Sequence, residues 1–129
     1  ISAGTFEVLY TIAEQEIKSG VSFIIESNFK QHEIDRLKTI FEENGYEVIF
    51  IVLSGDPELL YKRYLNRIEH EHRHPAHFNF DDRDTFVNYL LESRNVKYFG
   101  KVLTYNANNF VDINQILKDI NIFNRMFEQ

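Results

Sequence analysis

The feature that most constrains this 129-residue chain is the order in which two hydrophobic periods alternate along it. The longest uninterrupted apolar run, residues 48–53, is apolar on both faces of a strand. That is the pattern of a central strand in a parallel sheet with helices over both sides. Ser22-Phe23-Ile24-Ile25-Glu26 reads as a second buried strand that ends in an acid, and 102–105 as a short third one. Between them lie helical faces. Phe6, Leu9, Tyr10, Ala13 and Ile17 mark an opening helix stopped at Gly20, and Ile34, Leu37, Ile40 and Phe41 mark one stopped at Gly45. Asp56 can cap a third helix with Pro57 in its first turn, continued by Leu59, Leu60, Tyr64 and Ile68 to Glu69. Asp82 caps a fourth helix bearing Phe86, Tyr89 and Leu90. Asp112 caps a last one bearing Ile113, Ile116, Leu117, Ile120 and Phe123. The order α-β-α-β-α-loop-α-β-α predicts a single α/β domain over 1–129, with a mainly parallel sheet and right-handed crossovers.

Composition narrows the function classes. Hydrophobic residues at 43% and charged residues at 26% exclude a disordered chain. The charge of −6, from 14 Lys+Arg against 20 Asp+Glu, disfavours nucleic acid as a partner, because phosphate neutralisation needs surplus cations. No apolar run approaches the about 20 residues that span a bilayer, so no membrane partner is expected. The absence of cysteine removes disulfides and thiolate metal sites, and a cytoplasmic location follows as the expectation. The first residue is Ile1 rather than methionine, which suggests a piece of something longer.

Several side chains invite chemistry. Glu26, at the end of an apolar strand, stands where open parallel sheets bind ligands, and such a carboxylate can hold Mg²⁺ through its water shell. The competing reading is an acid that ends a strand and faces water. Arg63 and Arg67 lie four apart on one helix face, and Arg73 follows in a loop over 70–82. Guanidinium groups stack on purines and grip phosphates through paired N–H bonds. The alternative is a solvated face paired with Glu58, Glu69 or Glu71. His70, His72, His74 and His77 crowd the same loop, but no cysteine assists a zinc site there and Arg73 adds like charge. A solvated, partly cationic loop fits better. Asn106, Asn108 and Asn109 follow the third strand, as base readers or as ordinary turn formers.

In sum, the string Phe23-Ile24-Ile25-Glu26-Ser27-Asn28-Phe29, the run 48–53, Gly55-Asp56-Pro57-Glu58, Arg63-x-x-x-Arg67 and Arg73-His74-Pro75-Ala76-His77 resemble a known pattern. It is the carboxyl-terminal two-thirds of a P-loop kinase-like domain of the zeta-toxin and chloramphenicol-phosphotransferase type, within the wider P-loop and AAA-family ATPase-like group. The resemblance runs from Thr5 to Phe123. It implies a three-layer α/β/α fold, ATP and Mg²⁺ as cofactors, and a small molecule as phosphate acceptor. By the same resemblance Glu26 is the acid near Mg²⁺, and Asn28 and Phe29 edge the acceptor pocket. Arg63 packs on adenine, Arg67 and Arg73 are lid arginines near the phosphates, 70–82 is the lid, and Asn106 lies where the base is wrapped.

One departure matters. No G-x-x-x-x-G-K-[ST] motif occurs in these residues, although that loop supplies the amide cradle and lysine for a triphosphate. The expectation is that the first strands are missing, about two strand–helix units of roughly 30 residues each. The family's sheet would place the P-loop strand between 22–26 and 48–53. Without it those strands should recruit a substitute, pair with each other, or depend on a further segment. An incomplete edge also favours pairing with a second copy. The leading expectation is an ATP-dependent small-molecule kinase domain whose fragment alone is inactive. The alternative is a non-catalytic nucleotide-binding or protein-interaction domain that has lost the P-loop.

Overall fold

The computed structural model describes residues 3–72 and 79–127. In order these form α1 (Ala3–Ser19), α2 (Gln31–Glu43), β1 (Ile49–Ser54), α3 (Pro57–His70), α4 (Arg83–Ser93), β2 (Lys101–Asn106) and α5 (Ile113–Phe127). This is the α/β organisation expected, with both strands parallel. The described residues divide into two compact units, 3–48 with 79–99, and 49–72 with 100–127. Among the described residues, no helix is long and apolar enough to cross a membrane.

The first unit is built on a helix pair. Phe6, Tyr10 and Ala13 recur on one face of α1 and are buried, as are Ile34, Leu37 and Phe41 of α2. Phe6, Tyr10, Leu37 and Phe41 form one cluster, with Phe23, Ile25, Phe29, Tyr46 and Phe99 packed against it. A fully buried side chain such as Ile34 or Leu37 contributes about 1.5–3 kcal/mol relative to exposure. The glycine stop of α1 is realised at Gly20, where φ is 70°. At the start of α2 the carboxylate of Glu33, itself buried, accepts the Lys30 backbone N–H at 2.6 Å, which satisfies one otherwise unpaired amide. Arg36 of α2 ties back to α1: it pairs with Glu7 and lies 4.1 Å from the centroid of the Tyr10 ring. That pairing holds the Glu7 carboxyl below its ordinary range.

Residues 22–26 do not form the strand expected of them. Exposure alternates there as in a strand: Phe23 and Ile25 turn toward the helices, whereas Glu26 is exposed and Ile24 is 96% exposed. Yet the sheet contains only β1 and β2 among the described residues. The reason is physical. Apolar packing orients one face of a segment, but a strand also needs a neighbour to exchange N–H and C=O bonds with it. Among the described residues, neither a substitute strand nor pairing of 22–26 with β1 is found.

The second unit carries the ladder. β1 and β2 run parallel in a register from Ile49 opposite Lys101 to Ser54 opposite Asn106. The expected strand 48–53 thus shifts by one residue, because Val48 packs with the first unit's core. The expectation that both faces of this strand are covered is also corrected: Ile51 and Leu53 are exposed, while Phe50 and Val52 are half-buried. Within this unit one face of β1 is sheltered and the other is not. After β1, Asp56 caps α3 by accepting the Leu59 N–H at 2.9 Å. Asp82 caps α4 by accepting that of Thr85 at 2.7 Å, and Asp112 accepts that of Asn114 at the start of α5. All three caps stand where short polar residues precede the helical period.

Candidate functional site

In parallel sheets the connections leave the carboxyl ends of the strands, and there ligands find backbone amides and helix N-termini. In the second unit that edge consists of residues 54–56 after β1 and 106–109 after β2. The two connections are bonded to each other. The Ala107 N–H donates to the Ser54 carbonyl at 2.6 Å, which carries the ladder one step past the strands. The Asp56 N–H donates to Asn108 Oδ1 at 2.6 Å, and the Asn108 N–H donates to Asn106 Oδ1 at 2.8 Å. Arg63, two turns into α3, points to this edge: Nη2 donates to the Asn108 carbonyl at 2.7 Å and Nη1 to that of Ala107.

The sequence expectations separate here. Arg63 and Asn106 are brought to one connection. Arg67 is not: its Nε lies 3.3 Å from Glu71 Oε2, with both side chains more than half exposed, which is the solvated-face arrangement. Arg73 lies outside the described residues, as do His74 and His77. His70 Nδ1 contacts the Asn66 carbonyl at 3.0 Å, and no metal-binding group of three is found among the described residues. Glu26, Asn28 and Phe29 belong to the first unit; Glu26 and Asn28 are exposed, and Phe29 is tilted against Phe6 with ring centroids 6.4 Å apart. Mg²⁺ bound largely by phosphates and water asks the protein for one or two carboxylates. An exposed carboxylate such as Glu26 fits that requirement.

Two features were not legible as site features. Gly55 and Asn108 approach closely at the edge: a Cβ built on Gly55 would lie 2.9 Å from Asn108 Oδ1. The visible signals were a glycine before Asp-Pro and an asparagine among those after the third strand, with nothing to join them. Behind the edge, the Tyr105 hydroxyl of β2 donates to Asp119 of α5 at 2.7 Å. Desolvation, then this bond to a carboxylate, push its phenol up to about 12.

No curated protein and no solved structure matches the chain. The family model for the zeta toxin matches residues 2–125, nearly the whole chain and all of the elements described above except the last two residues of α5. The chain therefore belongs to the zeta toxin family, a P-loop kinase-like, nucleotide-binding family.

Proposed function

We propose that this chain is the carboxyl-terminal part of an ATP-dependent phosphotransferase that acts on a small molecule in the cytoplasm. The observation that carries the reading is the aim of Arg63: a guanidinium from the helix after β1 reaches the connection after β2, at the ligand edge of a parallel pair. Its two hydrogen bonds lie in the guanidinium plane, so they leave its flat faces for a nucleotide base. Asn106 borders the same base. Glu26 is the acid beside Mg²⁺, which when bound neutralises charge on the phosphates. Asn28 and Phe29 form the edge of the acceptor pocket. Arg67 and Arg73 belong to a lid over 70–82 that draws near the phosphates. For Arg67 this requires exchanging Glu71 for phosphate, and an exposed pair worth at most about 1 kcal/mol opposes that little.

The phosphate cradle and its lysine come, in this proposal, from a P-loop strand preceding these residues. Such a strand, laid beside 22–26, supplies the ladder partner that segment lacks. Catalysis is then chiefly positioning and charge stabilisation. The test uses the full-length protein with its P-loop: ATP binding with Mg²⁺ is measured by calorimetry, and transfer to small-molecule acceptors by loss of ATP. Glu26→Gln should lower turnover by about 100-fold or more, with ATP affinity changed far less. A parent that carries the loop but does not bind ATP overturns the reading.

The missing motif favours a second reading, a nucleotide-binding or interaction domain without catalysis. The genomic sequence upstream of Ile1 discriminates: a glycine-rich loop ending in Lys-Ser or Lys-Thr supports the enzyme, and a natural start near Ile1 supports the second reading.

A further inference from the structure

The connections 54–56 and 106–109 of the second unit are held together by a set of bonds, of which the proposed chemistry uses only those of Arg63. Four observations converge there. Arg63 grips two successive carbonyls, of Ala107 and Asn108. Asn108 reaches across to the Asp56 N–H, the amide that enters α3. The Ala107 N–H bonds the Ser54 carbonyl. Gly55 leaves the space in which Asn108 Oδ1 sits, and a side chain there would meet it at 2.9 Å. We infer that Asn108 is a positioning residue which, together with the in-plane bonds of Arg63, joins 54–56 to 106–109 as one rigid rim, and that the rim fixes Asn106 with its amide NH₂ as the end offered to a ligand.

The chemistry of Asn106 follows from one bond. A side-chain amide has an acceptor end and a donor end, and its orientation is set by its partners. Because Asn106 Oδ1 accepts the Asn108 N–H, the oxygen is committed to the turn and Nδ2 is the other end. A rim fixed in this way recognises a hydrogen-bond acceptor, such as an unprotonated ring nitrogen or a carbonyl oxygen of a heterocyclic base. Asn108, one of the three asparagines with base-reading potential in the sequence, is instead a latch. Lysine cannot replace Arg63, because an ammonium lacks the planar fork that spans two carbonyls. Preorganisation of this kind lowers the ordering cost of binding.

The assignment of a base as ligand rests on the proposed kinase reading; the rim itself does not. Two measurements on the full chain keep them distinct. The first is amide hydrogen exchange without ligand, for the wild type, Arg63→Lys and Asn108→Ala. Arg63 bonds carbonyls only, yet Arg63→Lys should speed exchange of the Ala107 and Asn108 amides by about tenfold. The Thr85 amide, capped in the other unit, should be unchanged and so reports that the chain is folded. The second is calorimetric affinity for ATP. Asn108→Ala should weaken it several-fold although Asn108 is not a ligand contact, and Arg63→Lys, which also removes the face proposed to carry the base, should weaken it more. Unaltered exchange at Ala107 and Asn108 in both variants overturns the rim. Faster exchange with unchanged ATP affinity overturns its positioning role. A wild type that binds no ATP fails the kinase reading alone, and the exchange result then decides the rim.

Discussion

The two units of this chain are held in different ways. Among the described residues, every buried side chain, from Phe6 and Tyr10 to Leu37, Phe41 and Phe86, belongs to the first unit. The second unit has the β ladder and the rim bonds, but its large apolar side chains Ile51, Leu53, Val102, Ile113 and Leu117 are exposed. The first is thus an apolar helix pair with a segment laid on it, whereas the second is fixed by directed polar bonds. Apolar burial is non-directional and tolerates small displacements, while hydrogen bonds specify where a backbone atom must stand. The connections 54–56 and 106–109 have the second kind of order.

The largest effect should come from contrasting the units directly. Leu37→Ala should destabilise the chain by about 2–5 kcal/mol, and Leu117→Ala by no more than about 0.5 kcal/mol. Denaturant melts of the two variants measure this. If Leu117→Ala costs as much in the full-length protein, the apolar face of the second unit is covered there and the contrast is confined to the residues described. Next in size, Asp56→Ala should cost about 1 kcal/mol by loss of the α3 cap, read from the same melts, while Asp56→Asn restores it. Cost without rescue by asparagine would shift the explanation from capping to charge.

The smallest effect is a titration. The folded value of the Tyr105 phenol, about 12, is raised above its ordinary 10. The stability it contributes is therefore complete below pH 10 and is lost as pH rises through 12. Ultraviolet titration should show one tyrosine ionising last, and Tyr105→Phe should remove that step. In the first unit the sign is opposite. Hydrogen bonds from Thr85 lower the Asp82 carboxyl, so its contribution is present at neutral pH and fades as pH falls through the lowered value.

Much of the fold was legible because its signals are local. The caps at Asp56, Asp82 and Asp112 and the stops at Gly20 and Gly45 involve partners a few residues away, and each helix stands where its period and cap place it. Strand character in 22–26 was legible as alternation, but the ladder was not, since it requires a neighbour far off in sequence. Arg63 and Arg67 look equivalent on one helical face. The fold separates them, because Arg63 finds carbonyls 44 and 45 residues away while Arg67 pairs one turn along with Glu71.

What the sequence determined by itself was therefore the five helices, two of the three strands it suggested, their order and the family: periodicity and capping act over a few residues and can be read from the chain. Only tertiary structure decided which arginine reaches the connection after β2, and that the Asn108 side chain accepts the Asp56 N–H. Each of those depends on hydrogen bonds between segments that meet only when β1 and β2 pair, and pairing register is a property of the folded backbone.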